Sequence, residues 1–594
     1  MVIESFLTNA LKNEGKFRMQ LHYLVEIKNV NEPFLDVELT AERSENQQNL
    51  TFFLPSWSPG SYLMREYSKH LHWVKAEASN GEPLYFDQLS KNRWCIDWEK
   101  SDLKNSTDTK FSIKARFYCH ELTVRTSYID HSMAFLHGPT FLFGIDGEEM
   151  KGPTMELRFP ADWSKVSTAL KDISEKREVF LYEAEDYDHL LDSPILLGCH
   201  ETDGFMAKGK PHELAFTGEM FPHEQNLKKD IETIVNTVSD LFEDELPYDK
   251  YSFLSILKPN LYGGLEHHDS TALVFDARKF QERKSYLRWL ELVAHEYFHT
   301  WNVKRIRPKA LGPFDYQNEN YTSMLWLAEG LTSFMDQYFV YSTGLCTMEE
   351  YLQAQVENLN SYLKIPGRKF HSLEQSSFNA WIKLYLPDEF SNNSTVSYYL
   401  KGGIVFFLLH AEYCKQGKHL NEFTKALWAR YKENPEVGMT SEEVYGVIEN
   451  QIGKDSRHRF ETWVQTTEEL PIEDSLTSLG LQIEWEYPDT LYSGMVLDNS
   501  KESLKISKVQ LDTPAYRAGF LPGDELIAIN DMRIDSASQP TFWNQLIKDR
   551  LYTILIARQG MMMTKEMSFE STPRVIKSIK VLDEKLANAA FLKS

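Results

Sequence analysis

Alternation of apolar and polar positions dominates the first third of the chain. In "RMQLHYLVEIK", Met19, Leu21, Tyr23, Val25 and Ile27 alternate with mostly polar residues, the pattern of a half-buried strand. "VELTA" and "KFSIKARFYC" repeat the period of two, and the turn-forming stretches "SWSPGSY" (Ser56 to Tyr62) and "ASNGEP" punctuate the runs. Residues 1–215 are therefore expected to be a β-rich domain. The period then changes. In "NLKKDIETIVNTVSDLF", Leu227, Ile231, Ile234, Val235, Val238 and Leu241 recur at threes and fours, which predicts an amphipathic helix. "YSFLSIL" and "TALVFD" follow as short strands, and Tyr286 to Val464 reads as helical. Thr347 with Glu350 and Thr440 with Glu443 form two capping boxes, and Gly344 is a stop for the helix before the first. "TTEELPIEDSLTSLG" (Thr466 to Gly480) reads as a polar linker, after which "LQIEWEY", "LKISKVQ", "DELIAIND" and "LYTILIARQG" are β-like again.

The expected architecture is multidomain α+β, with a β-rich domain at 1–215, a mainly helical catalytic domain at 216–470, a small module at 475–575 and a tail at 576–594. A length of 594 residues is too much for one core. The formal charge of -23 argues against a nucleic-acid partner, which wants a basic face. No run approaches the ~18 apolar residues of a membrane span, and the start lacks the basic and apolar regions of a secretory signal. The five cysteines show no metal or redox spacing. These features together predict a cytoplasmic protein.

The candidate chemistry lies in "LVAHEYFHTWN". Positions i and i+4 share a helix face, so His295 and His299 can point two imidazoles at one ion. Glu296, about 100° further round, can reach a water activated by that ion. Imidazole suits zinc, and a catalytic zinc site needs a third protein ligand and an open position. The surrounding Leu292, Val293, Tyr297, Phe298 and Trp301 make the helix apolar around most of its circumference, and buried polar groups there need partners, which a metal supplies. Two glutamates compete to be the third ligand. Glu319 lies in a polar loop-like stretch, and Glu329 lies in the apolar run "MLWLAEGLTSFMDQYF"; a packed helix fixes a carboxylate better than a loop does, so Glu329 is preferred. In "LYGGLEHHDS", Gly263 and Gly264 remove side chains from a strand edge where a peptide could pair by strand addition. Glu266 then becomes a candidate for binding the substrate's free α-ammonium. Arg65 is as well explained by a structural ion pair as by substrate contact.

"HEYFHTWNVKRIRP" followed by "WLAEGLTSF", together with "SWSPGSYLMREYSKH", resembles the M61 peptidases, the glycyl aminopeptidase family of gluzincins. The resemblance implies a thermolysin-like catalytic domain with one zinc ion per chain, held by His295, His299 and Glu329. It also implies Glu296 as general base and acid, and peptide substrates with a small amino-terminal residue such as glycine or alanine. "SYYLKGG" is similar to the Y-x-K-G of related aminopeptidases. That register assigns Tyr399 as oxyanion donor, with Tyr398 as its competing neighbour. "GGLEH" is similar to G-x-M-E-N but carries His267 where asparagine stands, which leaves the role of His267 open. "VQLDTPAYRAGFLPGDELIAIND" resembles the PDZ domains attached to bacterial proteases, which implies a module that either takes a peptide carboxy terminus near "YSGMVLD" or packs on the catalytic part. Two rivals are a zinc endopeptidase in which Glu266 anchors nothing, and a PDZ-bearing scaffold with an inactive metal site.

Overall fold

The computed structural model describes residues 18–101, 109–176, 179–220, 224–243, 246–498 and 503–591. The chain divides into two compact units, one of residues 1–305 with 313–320 and the other of residues 306–312 with 321–594.

In the first unit the period-two segments form the strands they predict. A seven-stranded sheet runs in the order Lys171–Asp172, Phe180–Glu183, Thr154–Arg158, His22–Glu26, Phe34–Glu42, Lys110–Tyr118, Leu71–Ala78. Burial alternates residue by residue along Phe34–Glu42 and Lys110–Tyr118, so one face builds the core and the other meets solvent. Tyr23, Leu39, Phe52, Ile113 and Phe143 are among the residues of that core.

A second sheet carries the residues of interest. Its strands are β1 (Glu201–Ala207), β2 (Lys210–Gly218), β3 (Tyr251–Leu257), β4 (Tyr262–Glu266) and β5 (Ser270–Phe275). They lie in the order β1-β2-β3-β5-β4, with β2, β3 and β5 parallel and β4 antiparallel to β5 at the edge. Every residue of β3 and β5 is buried, as expected for parallel strands covered on both faces. The sheet joins β1 and β2 to strands beyond residue 215, so the boundary expected there falls inside it. Against it pack helices α1 (Leu227–Leu241) and α2 (Arg283–Phe298). Asn226 caps α1 by accepting from the Lys229 N–H, and Ser239 on α1 hydrogen-bonds the Tyr297 hydroxyl on α2 at 3.2 Å.

The second unit is helical and then β. Helices α3 (Leu331–Ser342), α4 (Met348–Leu363) and α5 (Tyr398–Cys414) surround a core in which α5 is buried along most of its length. Both expected capping boxes form, at Thr347/Glu350 and Thr440/Glu443. Gly344 ends α3 with φ +75°, where a β-carbon would be strained. The stretch expected as a linker is instead partly helical. Residues Ile472–Ser478 form α6, and Leu476 is fully buried against α5. Its polar composition conceals an apolar face made by Ile472, Leu476 and Leu479.

Strands Met495–Asp498, Lys505–Val509, Glu525–Ile529, Leu551–Arg558 and Met561–Ser568 then form one sheet over a separate small core that includes Ile506, Phe520, Leu526 and Ile554. Of the residues expected as a tail, those described up to 591 are structured. Val575–Val581 pairs with Leu481–Glu486, and α7 (Glu584–Ala590) follows. The side chain of Asn360 on α4 mimics a strand partner for Ile576. Its Nδ2 donates to the Ile576 carbonyl at 2.8 Å, and its Oδ1 accepts from the Ile576 N–H at 2.8 Å. The five cysteines are unbridged. Among the described residues, no helix is long and apolar enough to cross a membrane.

Candidate active site

Helix α2 ends in the two histidines. Their rings lie 4.6 Å apart and almost perpendicular. The aromatic neighbours expected to bury this helix do so: Tyr297, Phe298 and Trp301 are inaccessible, and Trp301 stacks on Phe242 at 4.4 Å. His299 is the residue just past the last helical turn. Its Nδ1 donates to the Asn302 carbonyl at 2.6 Å, which fixes the tautomer and leaves the Nε2 lone pair for a ligand.

Glu296 is buried, and the space it occupies is made by a glycine. A β-carbon on Gly264 would lie 2.2 Å from Glu296 Oε1. Gly264 therefore leaves room for the Glu296 side chain against the edge strand. Its carbonyl accepts from Arg125 Nη2 at 3.1 Å. At the end of the same strand Glu266 is 4 % exposed. Glu266, Glu296 and His299 each offer a ligand atom, all within 4.8 Å of one another. Gly60, from the "SWSPGSY" turn, lies against Glu266.

Behind Glu266 is an ionic lock. His267 Nδ1 hydrogen-bonds Asp192 at 3.0 Å, and Lys304 Nζ reaches the same carboxylate oxygen at 2.9 Å. Burial pushes the Asp192 carboxyl up, but Lys304 and His267 outweigh it and hold the group well below the usual carboxylate range. Lys304 is raised despite its burial, because Asp192 and Glu266 face it. Arg305 continues the lock by donating to the Thr300 carbonyl at 2.7 Å and to Asp269 at 3.2 Å. The structure thus gives His267 a fixed partner. Asp192 had no local signal in the sequence, whereas Lys304 and Arg305 stand inside the "HEYFHTWNVKRIRP" string. Arg65 bonds the Ser61 hydroxyl of its own turn at 2.9 and 3.2 Å.

Glu329 lies on a π-helical turn, Trp326–Gly330, which leads directly into α3. Such turns are frequent at functional sites. It is 2 % exposed, while the competing Glu319 is exposed in its loop. Two glycines bring this turn close to α5, since a β-carbon on Gly330 would meet Gly402 Cα at 2.7 Å. Gly402 is the glycine of "YLKG", so that string packs against the turn bearing Glu329. Tyr399 opens α5, whose cap Ser397 accepts from the Tyr399 N–H. Burial, the nearby Glu329 charge and Tyr385 push the Tyr399 hydroxyl well above its ordinary range, so it stays a proton donor. Tyr398 stacks on Tyr399 at 4.8 Å and is fully buried. Lys401 is also fully buried and donates to the Thr466 carbonyl at 3.2 Å; burial lowers its amine to about 8.

His295 and His299 at the end of α2 offer two imidazoles, and Glu329 on its π-helical turn offers a buried carboxylate. Two imidazoles and a buried carboxylate are a donor set that suits zinc.

The family model of the M61 glycyl aminopeptidase matches residues 288–405, and that of the peptidase M61 N-terminal domain matches residues 22–199. The solved structure of an aminopeptidase N family protein from Idiomarina loihiensis is 28% identical, with a TM-score of 0.88, and the match covers 96% of this chain and 100% of that one. The chain is a metallopeptidase. Aminopeptidase N of Haemophilus influenzae is 29% identical over 192 residues, 32% of this peptidase but only 19% of that protein's length. An M1 zinc metallopeptidase from Deinococcus radiodurans is 13% identical, with a TM-score of 0.47, covering 77% of this chain and 95% of the other. The two matched segments of the peptidase contain the strands of the seven-stranded sheet up to residue 183, the histidine pair, Glu329 and Tyr399.

Proposed function

We propose that the chain is a zinc aminopeptidase that removes small amino-terminal residues, glycine or alanine, from peptides. His295, His299 and Glu329 would hold one zinc ion, which when bound supplies Lewis acidity and an activated water near neutral pH. Glu296 takes the proton of the attacking water and returns it to the leaving amine. The Tyr399 hydroxyl donates to the oxyanion formed at the scissile carbonyl. The substrate backbone pairs with β4, the edge strand of its sheet, and Glu266 receives the α-ammonium at the strand's end. The observation that carries this reading is the buried Glu266 carboxylate within 4.8 Å of Glu296 and His299. That proximity supports reading Glu266 as an anionic anchor beside the general base, as removal of a single terminal residue requires.

The catalytic part is read as thermolysin-like, and the module at 475–575 as a PDZ domain. The second assignment is supported by the edge position of Met495–Asp498, which offers an open strand to a peptide carboxy terminus.

The test is turnover of glycyl- and alanyl-anilides before and after chelation, with metal analysis and the N-acetylated substrates alongside. The expected result is zinc-dependent cleavage of the free amines and none of the acetylated forms. Equal cleavage of both would establish an endopeptidase. Stoichiometric zinc with no cleavage would establish a scaffold.

A further inference from the structure

The "SWSPGSY" turn is a buried loop, and buried loops need all their polar groups satisfied. Ser56, Ser58 and Ser61 are at most 2% exposed. The Ser56 N–H donates to the Tyr316 carbonyl at 2.8 Å, Trp57 Nε1 donates to the Asp315 carbonyl at 2.8 Å, and the Arg65 N–H donates to the Ser56 carbonyl at 2.8 Å. Ser58 Oγ hydrogen-bonds His137 Nε2 at 2.9 Å. The turn is thus held from several sides, and its apex is Gly60. A β-carbon there would lie 2.5 and 2.7 Å from the two Glu266 oxygens and 2.7 Å from Leu265 Cδ1. Gly60 has φ +80°, so glycine also suits the backbone. Backbone strain alone does not account for a turn apex set against both oxygens of a buried carboxylate. Gly81, in another turn of the same unit, has φ +84° and nothing within 4 Å of its missing β-carbon.

We propose that Gly60 is a positioning residue for substrate recognition: the rigid Trp57–Tyr62 turn is the backstop that holds the Glu266 carboxylate toward the substrate's ammonium group. The β-rich domain then contributes to selection of a free amino terminus without itself touching the reacting bond. The inference rests on the reading of Glu266 as the amine anchor. A side chain at position 60 displaces the carboxylate, weakening ammonium binding and leaving the general base in place.

The experiment compares Gly60→Ala, Gly81→Ala and Glu266→Gln for turnover of alanyl-anilide, with zinc content and thermal unfolding measured on each. Gly60→Ala is expected to raise KM about tenfold or more with kcat changed less than about threefold, a pattern that marks lost substrate binding. Gly81→Ala carries comparable backbone strain and is expected to keep both constants within about twofold. Identical kinetics in the two glycine variants would overturn the inference. If Gly60→Ala yields no folded protein, Trp57→Phe loosens the same turn by removing the bond to Asp315. A KM raised about threefold or more at constant kcat is then expected, and an unchanged KM overturns the inference. Glu266→Gln separates the two levels. A KM unmoved by that change refutes the anchor itself and the inference with it. A KM raised by Glu266→Gln and unmoved by Gly60→Ala refutes only the backstop.

Discussion

Glu296 and Glu329 are both buried acids in helical surroundings, yet the chain positions them in opposite ways. Glu296 belongs to a regular 16-residue helix and fills a space that a neighbouring strand vacates by having Gly264 there. Glu329 belongs to a π turn, and its own segment is drawn toward α5 by Gly330 meeting Gly402. In the first case glycine makes room for the acid. In the second, glycine makes room for the backbone that carries the acid. The difference teaches that a motif's glycines report different distances: carboxylate to strand for one acid, helix to helix for the other.

The largest test of this contrast is Glu296→Gln. It keeps the shape that fits beside Gly264 and removes the proposed base, so turnover should fall by about 10³-fold or more while metal content is retained. Unchanged turnover would take Glu296 out of the mechanism. Tyr399→Phe should come next, lowering kcat about 10²-fold with little change in KM. Tyr398→Phe should stay within about threefold, and the reverse order would exchange the two tyrosines' roles. Gly402→Ala should cost about 1–3 kcal/mol in denaturant unfolding, because the new methyl meets the Gly330 backbone. It should also weaken metal retention under chelator competition, and retention equal to wild type would disconnect the glycine crossing from the site.

A separate effect is a pH dependence shared by both units. Burial lowers His200, His212, His371 and His419 from an ordinary 6.5 to about 4. The unfolded chain takes up protons first as pH falls below 6.5, so the stability these neutral rings provide is complete above that pH and is lost towards pH 4. Each ring contributes a slope of at most about 1.4 kcal/mol per pH unit in that window. Unfolding midpoints measured from pH 7 to 4 should show it, and a flat profile would mean that these rings already accept protons in the native state.

Much of this was readable from residue patterns. The position of His295, Glu296 and His299 at the end of one apolar helix follows from their spacing and neighbours, and the strands of the first unit from the period-two pattern. Glu329 was separable from Glu319 by its apolar surroundings, although nothing in the local sequence signals a π turn. The polar letters of "LPIEDSLTSLG" concealed Ile472, Leu476 and Leu479, because a short amphipathic helix needs only three apolar residues to dock. β1 and β2 look like the strands before them, and only pairing reveals that they join the sheet of β3, β4 and β5. The approach of Gly60 to Glu266 links residues far apart in the chain, and such a contact leaves no periodic trace.

The pairing of Asn360 with Ile576 has a consequence for biosynthesis. Helices α4 and α5 receive part of their cover from residues 575–591: Phe591 stacks on Phe407 at 6.2 Å and His410 bonds the Ala590 carbonyl at 3.0 Å. On the ribosome, these helices emerge more than a hundred residues before their cover does. Their apolar faces therefore wait uncovered through that interval of translation, the period in which a nascent chain most needs chaperone protection.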